Sequence, residues 1–275
     1  MQLFTVYKVM SMEKIQIIAG NCVIENSETS FKTADFLKNM SEKKNFDLCY
    51  KSSFKKDNRS STDFFSGLGL DQSAKIFKDL KKKFDLHTLT DFHNLYELDH
   101  EIVDVIDVMQ VPAYLCMQSE LVLAMGLKNK KINIKKGQFL SPLDVLKVAK
   151  KIETTGNKSI SITERGSCFG YRDLVVDPRS FAILKNSGYE TIFDAGHSVR
   201  KYGVPSSNVN DGGNKEYVKT LSRAAIACHV DGIFVEVHPD PVNAKCDAAT
   251  QLSFSEFESL IDEIVPLWNF VNKKN

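Results

Sequence analysis

An α/β fold closed as a (β/α)8 TIM barrel, with a short N-terminal extension, is what the 275-residue sequence predicts. Short β-branched runs alternate with helical patterns through eight strand-helix units. Each crossover is long enough for a helix, and no edge strand is left over. Conspicuous polar residues fall just after the strands, at what would be one rim of a barrel.

The elements follow in order. Residues 1–14 mix apolar and polar residues as an N-terminal extension, either a small flanking hairpin or a segment without order; Met12 is an alternative start, and no function attaches to the segment. Residues 15–19 form a β-branched first strand, and Phe31, Ala34, Leu37 and Met40 then recur at helical spacing. Residues 48–51 give a second strand, followed by a helix from Asp71 with Ile76, Phe77, Leu80 and Phe84 on one face. Residues 86–91, 103–111 and 131–135 supply strands three to five. Ser141-Pro142 with Asp144 then reads as an N-cap, a first-turn proline and an early acid, and Gly156 closes that helix. Residues 160–163, 191–194 and 232–235 complete the strands, with a helix over about 216–228 between the last two. Ser255 and Glu258 read as a capping box for the final helix, whose Phe257, Leu260, Ile261, Ile264 and Trp268 make an apolar stripe. Without a Pro-, Gly- or Ser-rich linker, residues 1–275 read as a single barrel domain.

The totals narrow the partners. A formal net charge of +1 gives no reason to expect nucleic acid or an anionic membrane, so a small molecule is the expected partner. Six cysteines without pairing intervals, and a start without the charged, apolar and cleavage regions of a leader, imply a cytoplasmic protein. No apolar run approaches the roughly 18 residues of a membrane-spanning helix.

Strand ends carry the chemistry. Cys22 follows strand one; Lys51, Lys56, Asn58 and Arg59 follow strand two; Asp91 and His93 end strand three. Gln110 closes strand four, Lys135 and Lys136 strand five, Arg165 strand six, Asp194 and His197 strand seven, and Glu236 strand eight, with Asp247 shortly after. In a barrel these groups converge on the C-terminal face. Lys51, Lys56, Arg59, Lys136 and Arg165 would repel one another unless an anion, such as a phosphoester, sat among them, although any single lysine also reads as part of a solvated rim. If the segment 193–198 lies beside the last strand, His197 faces Glu236 and Asp247 and a divalent transition metal could join them. Spacing leaves the alternatives open: a structural histidine, a buried apolar Cys22, or carboxylates acting as general base or hydrogen-bond acceptors.

Lys51-Ser-Ser-Phe-Lys-Lys-Asp-Asn-Arg-Ser-Ser61 resembles the Lys-x-Ser-Phe-Asp-Lys-Ala-Asn-Arg-Ser-Ser signature of the 3-deoxy-D-manno-octulosonate 8-phosphate synthases, also called 2-dehydro-3-deoxyphosphooctonate aldolases. The resemblance runs from about residue 17 to 252, through Thr90-Asp-Phe-His93, Gln110-Val-Pro-Ala113, Asn133-Ile-Lys-Lys-Gly-Gln-Phe139, Glu164-Arg-Gly-Ser-Cys-Phe-Gly-Tyr171, Leu174-Val-Val-Asp177, Glu236-Val-His-Pro-Asp240 and Asp247-Ala-Ala-Thr-Gln-Leu252. It implies a homotetrameric barrel, a transferase that condenses phosphoenolpyruvate with D-arabinose 5-phosphate and water, releases phosphate, and feeds lipopolysaccharide core synthesis. In that family C3 of phosphoenolpyruvate attacks the sugar aldehyde, water adds at C2, and the hemiketal loses phosphate. By resemblance, Lys56, Lys136 and Arg165 are phosphoenolpyruvate ligands in a pocket lined by Gln110, Pro112 and Ala113. Asn58, Arg59 and Ser60 belong to the arabinose 5-phosphate site, with Arg59 and Ser60 reaching a neighbouring subunit's pocket, and Asp91 is a further polar group. Cys22 occupies the position where cysteine marks the metal-dependent class and asparagine the metal-independent one. With His197, Glu236 and Asp247 it implies a divalent cofactor, Zn, Fe, Mn or Co, with His197 and Asp247 also counted among the catalytic groups.

The sequence departs from that pattern in places. Met117 and Ser66 stand where arginine is usual, Lys55 and Asp57 replace Asp and Ala within the signature, Gly196 replaces Thr before His197, and Arg200 lies where Gln is common. The related 3-deoxy-D-arabino-heptulosonate 7-phosphate synthases typically carry Lys-Pro-Arg-Thr where this chain has Lys56-Asp-Asn-Arg59, which disfavours that alternative. A non-catalytic barrel that binds sugar phosphates is the other alternative.

Overall fold

The computed structural model describes residues 13–59, 61, 63–168, 173–201, 203–205 and 211–272. The expected extension, apart from residues 13 and 14, and Ser60 lie outside the described residues. Eight parallel strands close a barrel: β1 (Gln16–Gly20), β2 (Asp47–Lys51), β3 (His87–Asp91), β4 (Val108–Val111), β5 (Lys131–Lys135), β6 (Ile160–Glu164), β7 (Glu190–Asp194) and β8 (Gly232–Glu236). Neighbours in sequence are neighbours in the wall, and β8 returns to β1 with Gly232 opposite Gln16 and Glu236 opposite Gly20.

A helix follows each strand: α1 (Ser27–Lys44), α2 (Leu70–Phe84), α3 (Ile102–Val105), α4 (Ser119–Gly126), α5 (Pro142–Glu153), α6 (Arg179–Asn186), α7 (Val218–Ala227) and α8 (Phe254–Val271). Their boundaries have local causes. Asn26 caps α1 by accepting from Thr29 N, and the chain leaves that helix through Asn45 in the left-handed region. Ser141 caps α5 with Pro142 in the first turn, as the sequence implies.

Two expectations need correction. Residues 103–111 are not one strand: Ile102–Val105 forms the single turn α3, and only Val108–Val111 pairs in the wall. A run of apolar residues does not reveal its period when helix and strand are both short. The capping box of α8 is formed by Ser253 and Glu256, two residues earlier than Ser255 and Glu258. Both pairs satisfy the three-residue spacing, and the backbone places Ser253 at the extended cap position. A small antiparallel hairpin, Ser167–Cys168 with Leu174–Val175, lies between β6 and α6 and was not foreseen.

Strand side chains alternate between two cores. Outward residues such as Ile17, Ile132, Ile134, Phe193, Ile233 and Val235 pack beneath the helices. Inward residues Ile18, Cys49, Leu89, Val108, Ile192 and Phe234 plug the barrel. The same alternation decides which polar residues at the C-terminal end enter the barrel mouth.

Candidate active site

Continuing the inward register of the plug places Lys51, Asp91, Gln110, Lys135, Asp194 and Glu236 at the C-terminal mouth. All six are buried. The first five line a cleft of about 260 Å³ floored by Phe234 and lined also by Lys56, Asn58, His93, Pro112, Ala113, Arg165, His197, Arg200, Lys201 and Asp247, and Glu236 stands 3.1 Å from Lys51 beside it. The Lys135 ammonium sits 3.1 Å from the Phe234 ring centroid, and Lys51 sits 5.6 Å away.

Lys136 does not enter this cleft. Its position has the outward parity of Ile132 and Ile134, and its Nζ donates to Leu140 O at 3.0 Å and Ser167 Oγ at 3.0 Å. It also faces Glu164, the outward residue ending β6, at 3.4 Å. The structure brings Lys135 to the mouth instead, paired with Asp194. Burial lowers the Lys135 pKa to about 8 against the opposing attraction of Asp194, with Arg165 and Lys51 adding to the lowering.

Other expected residues separate similarly. Lys56, Arg165, Asn58, Asp91, Gln110, Pro112 and Ala113 share the cleft. Arg59 turns away from it, donating to Phe65 O at 3.0 Å and Lys245 O at 2.7 Å. Lys55 and Asp57, two departures from the signature, pair with each other. Arg200, another departure, lines the cleft and stands 3.6 Å from Asp247 Oδ1.

Cys22, His197, Glu236 and Asp247 converge beside the cations. His197 Nε2 is 3.8 Å from Glu236 Oε1 and 3.6 Å from Asp247 Oδ2, and Cys22 Sγ is 3.2 Å from the same Asp247 oxygen. His197 Nδ1 meets Asp194 at 3.0 Å, which leaves Nε2 aimed at the carboxylates. A carboxylate behind the ring is how proteins orient a metal-binding imidazole. Glu236 Oε2 is buried without a hydrogen-bond partner. One sulfur, one imidazole and two carboxylates, with an orphaned carboxylate oxygen among them, fit a divalent transition metal.

The surrounding charges are mutually held. Burial opposes ionisation of Asp247, but the His197 hydrogen bond and Arg200 keep its carboxyl well below the usual range. Burial also opposes the charge on Lys56, yet Cys22, Glu236 and Asp91 hold its pKa well above the ordinary lysine value. Burial, reinforced by Cys246, pushes the Cys22 thiol well up, so a cation would be needed to hold it as thiolate near neutral pH.

Sequence reading by strand ends includes Lys135 and Asp194 in the rim but names Lys136 for the substrate anion, and of that pair the structure places Lys135 in the cleft. Alternation along β5 carries the signal that separates them. Tyr114 and Cys246 were not singled out; Tyr114 lines the cleft and Cys246 lies against Cys22.

The model of the DAHP synthetase I family matches residues 11–267. A 2-dehydro-3-deoxyphosphooctonate aldolase of Trichlorobacter lovleyi is 41% identical over 251 residues, 91% of either chain. Proteins of the same name from Magnetococcus marinus, 42% identical over 91% of this chain and 86% of theirs, and Protochlamydia amoebophila, 39% identical over 95% and 94%, are similarly related. The chain therefore belongs to the DAHP synthetase I family and, within it, to the 2-dehydro-3-deoxyphosphooctonate aldolases.

Proposed function

We propose that this protein is a transferase that condenses phosphoenolpyruvate with D-arabinose 5-phosphate and water, giving 3-deoxy-D-manno-octulosonate 8-phosphate and inorganic phosphate for lipopolysaccharide core synthesis. The observation that carries the reading is sustained identity to curated aldolases of that name across about nine-tenths of the chain. The mouth has the matching chemistry. Lys56, Lys135 and Arg165, with Arg200 and Lys201, offer charge to two phosphoesters in one cleft. Holding both substrates there brings C3 of phosphoenolpyruvate to the sugar aldehyde without a large loss of freedom in the reacting step.

Cys22, His197, Glu236 and Asp247 would hold the divalent cofactor. A bound divalent ion supplies a Lewis acid that can orient and polarise the aldehyde or lower the pKa of water. Lys135, with a pKa of about 8, is placed to hold or release a proton near neutral pH. Asp194 connects that lysine to His197, fixing both side chains through one carboxylate. Asn58 and Asp91 offer polar contacts to the sugar phosphate, and Gln110, Pro112 and Ala113, lining the same cleft, offer contacts to phosphoenolpyruvate.

We also read the protein as a cytoplasmic homotetramer. Six free cysteines fit a reducing compartment, and no helix among the described residues is long and apolar enough to cross a membrane. Arg59, which lies outside its own chain's cleft, is the residue that would reach a neighbouring subunit's pocket on exchanging its contacts with Phe65 O and Lys245 O. Light scattering on the purified protein measures the assembly.

Phosphate release from phosphoenolpyruvate, with added divalent metal and either D-arabinose 5-phosphate or erythrose 4-phosphate, tests the activity. Release dependent on arabinose 5-phosphate is expected. Preference for erythrose 4-phosphate would replace this reading with the heptulosonate synthase, and ligand binding without turnover would leave a sugar-phosphate-binding barrel.

A further inference from the structure

A second sulfur stands at the proposed metal site. Cys246 Sγ lies 2.9 Å from Cys22 Sγ, and Asp247 Oδ2 lies 3.2 Å from that same Cys22 sulfur. Both cysteines are buried and both are free thiols. Cys22, Cys246 and Asp247 form one group of donor atoms within 4.8 Å of one another, and His197, Glu236 and Asp247 form another, so Asp247 is common to both.

The convergence is built by two devices. Asp247 adopts a positive φ of 45°, a conformation uncommon for a residue with a side chain, and the side chains of 246 and 247 both reach the Cys22 sulfur. Gln251, itself buried, then ties the two cysteine segments together: its Nε2 donates to Cys246 O at 2.8 Å while its Oε1 accepts from Cys22 N at 3.2 Å. The clamp holds Cys246 and Asp247 together against Cys22.

From this geometry we infer that Cys246 is a second thiolate ligand, giving the cation two sulfurs together with donors from His197, Glu236 and Asp247. The inference rests on the metal reading given under Proposed function and deepens it. Two thiolates at metal–sulfur distances of about 2.3 Å would sit about 3.3–4.0 Å apart in a five-coordinate arrangement, so the sulfurs must part by up to roughly 1 Å on binding. Each sulfur–metal bond formed releases one thiol proton to solvent. A doubly sulfur-ligated site favours zinc, iron(II) or cobalt(II) over manganese, which prefers oxygen donors.

X-ray absorption of the wild-type full chain, prepared metal-free and loaded with one equivalent of zinc, counts the sulfurs without requiring a variant to fold. Two sulfurs per zinc at about 2.3 Å are expected. In the cobalt-loaded protein, Cys246→Ser and Cys22→Ser should each halve the thiolate-to-cobalt charge-transfer absorption of the wild type. One sulfur per zinc, or undiminished absorption in Cys246→Ser, would overturn the role of Cys246 while leaving the metal reading intact. Failure of the wild type to retain zinc or cobalt through dialysis would overturn both.

Discussion

Lys51 Nζ stands 3.1 Å from Glu236 Oε1, and both side chains are 2% exposed. The pair bridges β2 and β8 across the end of β1, where Gly20 carries no side chain, and sets the charge of the mouth. Burial opposes ionisation of Glu236, but Lys51, then His197 and Lys56, hold its carboxyl below the ordinary value. Lys51→Met leaves that carboxylate with only the longer approaches of His197 at 3.8 Å and Lys56 at 3.9 Å. The metal-free variant should lose about 3 kcal/mol in urea unfolding, near the lower end for breaking a buried pair, and added zinc should recover part of it. An unchanged midpoint would show that the pair carries no such strain.

Strand parity separates the two lysines that end β5. Lys135→Met should lower kcat/KM for phosphoenolpyruvate on the order of 10²-fold while leaving the barrel folded, because Asp194 keeps its contacts with the His197 ring and backbone amide. Lys136→Met should instead leave buried Glu164 without its cation, costing about 3–5 kcal/mol and lowering Tm by roughly 10 °C. Its kcat/KM per folded molecule should change little. Steady-state kinetics paired with thermal unfolding distinguishes them, and the reverse pattern would restore Lys136 to the mouth.

His93 gives stability a pH dependence. Burial disfavours its charge, but Asp91 and Glu97 outweigh burial and raise the pKa from 6.5 to about 9. A raised folded-state pKa means that the stabilisation is fully present below about pH 6.5 and disappears as pH rises through 9. The change across that window is on the order of 3 kcal/mol. His93→Gln should be less stable than wild type at pH 6 and should show a flatter stability profile from pH 6.5 to 9 by urea unfolding. Parallel profiles would contradict the assignment.

The cap of α8 is a smaller and cleaner test. Ser253→Ala removes the hydroxyl that accepts from Glu256 N at 3.2 Å and should cost about 1 kcal/mol, or roughly 2–4 °C in Tm. Ser255→Ala should stay within about 0.5 kcal/mol of wild type. Equal effects in calorimetry would argue against the observed cap.

The barrel was legible because most strands are short β-branched runs such as Gln16–Gly20 and Gly232–Glu236, each followed by a stretch of helical spacing. Where signals coincided, reading failed. Residues 103–111 hid a helical turn because its apolar residues continue into β4, and Ser253 and Ser255 both precede an acid by three positions. Site chemistry was legible as residue types at strand ends, but direction was not. Lys135 and Lys136 differ only in which side of the wall they face, and that follows from register with Ile132 and Ile134 rather than from composition. Cys246 lies 224 positions from Cys22, and only closure of β8 onto β1 brings their segments together.

Diffraction from crystals grown with cobalt and phosphoenolpyruvate, recorded at the cobalt absorption edge, tests the shared mouth most directly. One anomalous peak is expected, coordinated by Cys22, His197, Glu236 and Asp247 with Cys246 as the second sulfur, and phosphoenolpyruvate is expected in the same cleft against Lys135 and Arg165. Cobalt bound away from those four residues, or phosphoenolpyruvate at the opposite end of the barrel, would contradict it.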